Sequence, residues 1–152
     1  INTSSIAHRL LGFLYRPGRP EEAFLHSMHL AYGNAKLANI LFTRELHLRY
    51  HRQGLKAAAV HPGVVATSFS RNTHSPMRLL YGSELARLPG IKSSAQGAMT
   101  LVRLAKGTPG KDWAPGAYYS GFRQVTPSRK ARASAAGRLL WEYSEKALEN
   151  YL

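Results

Sequence analysis

Tyr32 and Lys36 stand four residues apart in AYGNAKLANILFTREL, Ala31 to Leu46, a stretch whose apolar spacing reads as a helix. On a helix the two side chains would share one face. A phenol with a free pKa of about 10 is a poor base near neutrality, and an adjacent cation favours its ionised form. The chemistry open to such a pair is proton transfer to and from an oxygen. With 8 Tyr and 7 Lys in the chain, however, the spacing alone decides nothing. A surface tyrosine beside a solvated lysine describes the same residues.

Two further segments carry suitable groups: Asn2-Thr3-Ser4-Ser5, and Pro62-Gly63-Val64-Val65-Ala66-Thr67. A serine hydroxyl can hold a substrate oxygen while charge develops on it. Ser4 and Ser5 both qualify by type, and both also read as turn or cap serines. Pro62 and Gly63 let the backbone turn sharply and approach a ligand closely. Val65 and Thr67 are equally described as a strand exit and a helix cap. Among the seven histidines, His47 and His51 have the spacing of a helical metal pair, but HLRYH lacks the intervening Glu of a zinc-protease motif. No third ligand is evident, so no metal is expected, and His61 receives no proton-transfer role.

The elements that must position these residues follow from periodicity and breakers. INTSSIA reads as a strand end running into a turn. Pro17, Gly18 and Pro20 make Leu14 to Glu22 a loop. From about His26 to Arg52, Leu30, Leu37, Ile40, Leu41 and Leu48 recur at helical intervals, with Gly54 as the stop. LKAAAVHPG reads as a strand buried on both faces. The irregular segment from about 68 to 92 reads as a lid, with an apolar patch at Met77 to Tyr81. Ser93 or Ser94 should cap a helix through Lys106, with Ala98, Leu101, Val102 and Ala105 on its apolar face. GAYYSGF reads as a short strand. A last helix is expected from about 128 to 150, with Leu140, Tyr143, Ala147 and Tyr151 along one side. Their burial in the chain's own core is expected ahead of packing on another subunit. The alternation predicts an α/β fold with a parallel sheet, whose strand ends share the edge where ligands bind.

Composition narrows the partners. A chain of 152 residues that is 44% hydrophobic and 19% charged can bury one core. No apolar run reaches the ~20 residues of a membrane span, and no signal-peptide pattern opens the chain. Without cysteine there are no disulfides or thiolate metal sites, and a cytoplasmic location is the default expectation. The formal charge of +13 would attract anionic cofactors, phosphates, nucleic acid or acidic lipid. Basic residues run from Arg9 to Lys146, and the densest group is only Arg129, Lys130 and Arg132. That spread does not make the one-faced footprint of a nucleic-acid binder, so no nucleic-acid partner is expected.

Taken together, NTSS, AYGNAKLANILFTREL, VHPGVVATSF, SAQGAMTLVRLA, GAYYS and RLLWEYSEKAL resemble the short-chain dehydrogenase/reductase family, most closely its retinol-dehydrogenase-like branch. The likeness covers nearly the whole chain but corresponds to the C-terminal half of a family member. The wide separation of Ser5 and Tyr32 matches a loop insertion typical of that branch. The resemblance implies the C-terminal portion of a Rossmann-like doubly wound parallel sheet, lacking the N-terminal glycine-rich half. It makes Tyr32 the general acid/base, with Lys36 both favouring the phenolate and bonding the nicotinamide ribose. The family pattern selects Ser5, the second serine, to hold the substrate oxygen. It places Tyr32, Lys36, Pro62, Gly63, Val65 and Thr67 at the cofactor, with Val65 and Thr67 against the carboxamide.

The implied reaction interconverts an alcohol and an aldehyde or ketone, using NAD or NADP, with NADP slightly favoured by the resemblance. Phe69, Met77, Leu79, Leu80 and Tyr81 favour a hydrophobic substrate, and homo-oligomers are common in the family. No GxxxGxG or GxGxxG turn occurs, nor the acidic or basic residues that choose between NAD and NADP, nor the asparagine of the proton relay. The start at Ile1, which reads as the inside of a strand, adds to the expectation of a single incomplete domain over residues 1–152, poorly soluble or partly ordered in isolation and without turnover. The competing reading is a truncated, non-catalytic basic interaction module with the same fold.

Overall fold

A computed structural model describes residues 1–10, 28–65, 90–149 and 151, without the side chains of residues 28 and 29. The loop expected at Leu14 to Glu22 and residues 68–89 of the expected lid lie outside the described residues, as do Thr67, Phe69 and the patch Met77 to Tyr81.

The described elements run β1 (Asn2–Thr3), α1 (Ala7–Leu10), α2 (Met28–Tyr50), β2 (Ala59–His61), α3 (Ser94–Lys106), β3 (Tyr118–Ser120), β4 (Arg123–Gln124) and α4 (Ser134–Leu148). The sheet order is β1-β2-β3-β4, parallel across the first three strands and antiparallel between β3 and β4. The expected α/β class with a mainly parallel sheet is therefore present. Short 3₁₀ turns at His51–Gln53 and Lys130–Arg132 follow α2 and precede α4. Gly54, at φ +90°, closes the first of them, a left-handed conformation that favours glycine.

Strand alternation divides the core into two layers. On one face Ala59 and Tyr118 pack with Leu37, Ile40, Leu41, Ala131 and Ala136, bringing α2 and α4 onto the sheet. On the other, Ala58, Val60 and Tyr119 pack with Leu104 of α3 and Trp113. The Trp113 indole donates to the Gly107 carbonyl at 3.2 Å, and the Tyr119 hydroxyl accepts from the Ala114 amide at 2.9 Å. Both buried polar tips are thereby satisfied. α4 approaches α2 at Gly137, where a Cβ would come within 3.3 Å of Glu45 Oε2 and 3.6 Å of the Leu41 carbonyl oxygen.

Four expectations need correction. The buried face of α3 is Gly97, Thr100 and Leu104, with Leu101 half-buried, whereas Ala98, Val102 and Ala105 are exposed. Gly97 sets that phase because it lies against Val65, and a glycine is invisible to a count of apolar side chains. The last helix begins at Ser134 rather than near 128. It meets the core through Ala136, Gly137 and Leu140, which leaves Tyr143, Ala147 and Tyr151 exposed instead of buried, Tyr151 at 83%. Leu48 is likewise exposed, because the end of α2 is covered on its other side by Trp141, whose ring stacks on Phe42 at 5.5 Å. Of the two expected caps, Ser93 is the one used, and it forms a capping box: Ser93 Oγ accepts from the Gln96 amide at 3.2 Å and Gln96 Oε1 from the Ser93 amide at 2.8 Å.

Candidate functional site

Side-chain bonds tie β1 to α2. Asn2 Nδ2 donates to Thr43 Oγ1 at 2.9 Å, Asn39 Nδ2 to the Thr3 carbonyl at 2.8 Å, and Ser4 Oγ to the Lys36 carbonyl at 2.7 Å. The helix therefore runs back along the strand, placing its Tyr32 end beyond the strand's C-terminal end. The two serines separate by environment: Ser4 is buried and spends its hydroxyl on α2, while Ser5 is half-buried and its Oγ accepts from the Ala7 amide at 3.2 Å. The Ser5 hydroxyl proton remains available to a ligand oxygen.

Lys36 Nζ lies 5.4 Å from the centre of the Tyr32 ring and donates to the Thr3 carbonyl at 3.3 Å. A cation within about 6 Å of an aromatic face is held by the ring quadrupole. Burial pulls the Lys36 ammonium below the ordinary lysine pKa, so its charge acts through a medium less polar than water.

Ser4 N donates to the Val60 carbonyl at 2.7 Å and Gly121 N to the His61 carbonyl at 3.1 Å. The exits of β1, β2 and β3 thus share one edge. Immediately after β2, Gly63 adopts φ +102°, a turn that strains any residue with a Cβ. Ser5, Tyr32, Lys36, Pro62, Gly63 and Val65 are gathered at or beside this edge. A separate cleft of about 360 Å³ lined by Arg44, Tyr118, Val125 and Arg132 contains none of them.

No protein-family model matches the chain. It is similar to retinol dehydrogenase 12 of Mus musculus, 36% identical over 148 residues that make up 95% of this chain and 43% of that protein. It is also similar to the human WW domain-containing oxidoreductase, 37% identical over 123 residues, 81% of this chain and 29% of the relative. The chain belongs to the short-chain dehydrogenase/reductase family. Among solved structures, an uncharacterised protein from Mycobacterium paratuberculosis shares its fold, with a TM-score of 0.62 and 23% identity over 97% of this chain and 48% of that one. The chain spans less than half the length of the relatives it matches.

Sequence reasoning missed two residues beside these strand exits. His8, in the four-residue α1, donates from Nδ1 to the Ser5 carbonyl at 2.6 Å and accepts at Nε2 from the Ser128 amide at 3.2 Å. That pair of bonds selects the neutral ring. Burial and then the Arg9 charge hold its pKa below the usual 6.5, against the raising effect of the Ser5 bond. The second is Lys92, taken up below. His61 is also depressed, by burial, Lys92 and His8, and His47 by burial, His51 and Lys56. In all three the folded pKa lies below the unfolded value, so their stabilising contribution is complete above about pH 6.5 and is lost as pH falls toward the folded values. Urea unfolding of the intact protein should show a lower midpoint at about pH 5.5 than at about pH 7.5. A flat or rising midpoint over that interval would contradict the assignment. Among the described residues no cluster of three His, Asp or Glu could hold a metal, and no helix is long and apolar enough to cross a membrane.

Proposed function

We propose that the protein is an NAD(P)-dependent oxidoreductase interconverting an alcohol and an aldehyde or ketone by hydride transfer. The observation that carries this reading is the Lys36 ammonium, 5.4 Å from the Tyr32 ring centre and bonded to the strand end that leads into Ser5. The local groups suit the nicotinamide-ribose end of a dinucleotide. Lys36 uses one donor on Thr3, leaving others for ribose hydroxyls, and Gly63 offers backbone without a side chain at the turn. Pro62, Gly63 and Val65 would hold that end, with Thr67 assigned there by family pattern.

A bound nicotinamide supplies or accepts the hydride. Tyr32 holds a proton at Oη and gives it to the carbonyl oxygen in reduction, or takes it from the alcohol in oxidation. Lys36 favours the phenolate through its charge. Ser5 donates a hydrogen bond to the same oxygen and stabilises negative charge there as it develops.

The names of the relatives, retinol dehydrogenases among them, together with the apolar residues Phe69, Met77, Leu79, Leu80 and Tyr81, support a hydrophobic substrate. The intact protein should oxidise NADPH or NADH in the presence of a long-chain or retinoid aldehyde, followed by the loss of reduced-nicotinamide absorbance. NADPH is the first cofactor to try. Absence of oxidation with both cofactors across aldehydes, ketones and the reverse alcohols would overturn this reading in favour of a non-catalytic module.

A further inference from the structure

Lys92 lies two residues before α3 and far along the chain from β2, yet three independent contacts join its neighbourhood to the turn after β2. Its amide donates to the Val64 carbonyl at 2.8 Å, and the residue forms a parallel bridge with Val65. Its Nζ donates to the Pro62 carbonyl at 3.1 Å. One turn into α3, Gly97 admits Val65 so closely that a Cβ there would sit 2.5 Å from Val65 Cγ2.

The stem of Lys92 also covers Gly63. A Cβ on that glycine would lie 3.0 Å from both Cδ and Cε of Lys92, and a Cβ on Gly121 would lie 3.7 Å from Nζ. The side chain therefore bridges the exits of β2 and β3. This matters because the turn has little to hold it from within. Pro62 has no N–H to give, and a glycine is the least conformationally restricted residue.

We propose that Lys92 is a positioning residue for the cofactor: by holding the Pro62 carbonyl and covering Gly63, it fixes the backbone from Pro62 to Val65 in the shape that receives the nicotinamide end. The inference rests on the reading of this turn as the nicotinamide site. Lys92 touches the turn and not the reacting atoms, so its removal should weaken cofactor binding more than it slows the bound complex. The charge on Lys92 also reaches His61, whose pKa it helps to depress.

The test uses the intact protein with NADPH and NADH. Lys92→Met keeps the length of the stem and removes the donor, while Lys92→Arg keeps charge and donor. The methionine variant should raise the cofactor Kd and KM about tenfold, or about 1.4 kcal/mol, with kcat changed less than about threefold. Lys92→Arg should restore most of the affinity. NMR titration should show the His61 pKa rising in Lys92→Met, which reports the contact without any turnover. If Lys92→Met does not fold, Lys92→Leu, which also lacks the donor, is read for the same split.

Unchanged cofactor affinity in the folded methionine variant would overturn the proposal, as would equal losses in kcat and affinity that arginine fails to rescue. Failure of the unsubstituted protein to bind either dinucleotide would instead overturn the reading of the site itself. That result is obtained before any variant is made, so the two failures are distinguishable.

Discussion

Tyr32→Phe should lower kcat of the intact enzyme by about 10²- to 10⁴-fold, the range that a positioned general acid/base contributes. The substitution is selective because the ring remains. Lys36 Nζ is held 5.4 Å from the ring centre and by the Thr3 carbonyl, and both interactions survive the loss of the hydroxyl. Cofactor affinity should consequently fall far less than kcat does. What disappears is the proton at Oη, leaving the developing alkoxide to find one from water. A phenylalanine variant that turns over within tenfold of the parent, with normal cofactor binding, would remove Tyr32 from the reaction.

Leu37→Ala should destabilise the intact protein by about 2–5 kcal/mol, the range for deleting a buried leucine side chain. Leu37 is 0% exposed and packs in the cluster that joins α2 to β2, β3 and α4. Domains have only about 5–15 kcal/mol in total, so the loss is a large share of the whole. Its neighbour Lys36 shares the helix that this packing fixes, and activity should fall well below the denaturation threshold as the helix loosens. Urea unfolding with a shift in midpoint and an unchanged slope would be the expected signature. A loss below about 1 kcal/mol would show that the site collapses around the deletion and that the cluster is less closely packed than its geometry indicates.

The features legible in the sequence were those with a local signature. The run from Leu37 to Leu41 identifies α2, the alanine-rich stretch before Pro62 identifies β2, and the serine pair Ser93-Ser94 marks the start of α3. Tyr32 and Lys36 could be singled out for the same reason, since helical spacing fixes their relation. β4 could not: Arg123 and Gln124 are two exposed polar residues that form a strand by pairing with β3. Nor could α1, four residues long, within which His8 acquires its role through a bond to Ser128, distant in sequence. Lys92 is the clearest case. As a type it reads as one more surface cation in a chain of formal charge +13, and only its pairing with the turn after β2 distinguishes it. Ser4 and Ser5 could not be separated by type either. Burial separates them, and burial is a property of the folded chain.

The two margins of the described sheet behave differently toward other polypeptide. At one margin β4 is short, turns back antiparallel and carries the charge of Arg123, the features by which native sheets discourage a further strand. At the other, β1 bonds inward to β2 through Asn2 and Ser4 amides, and Ile1 beside it is an exposed large apolar residue. The two margins are thus unequal: β4 presents a short charged ribbon, whereas the Thr3 carbonyl of β1 is already taken by Lys36 and Asn39 of α2.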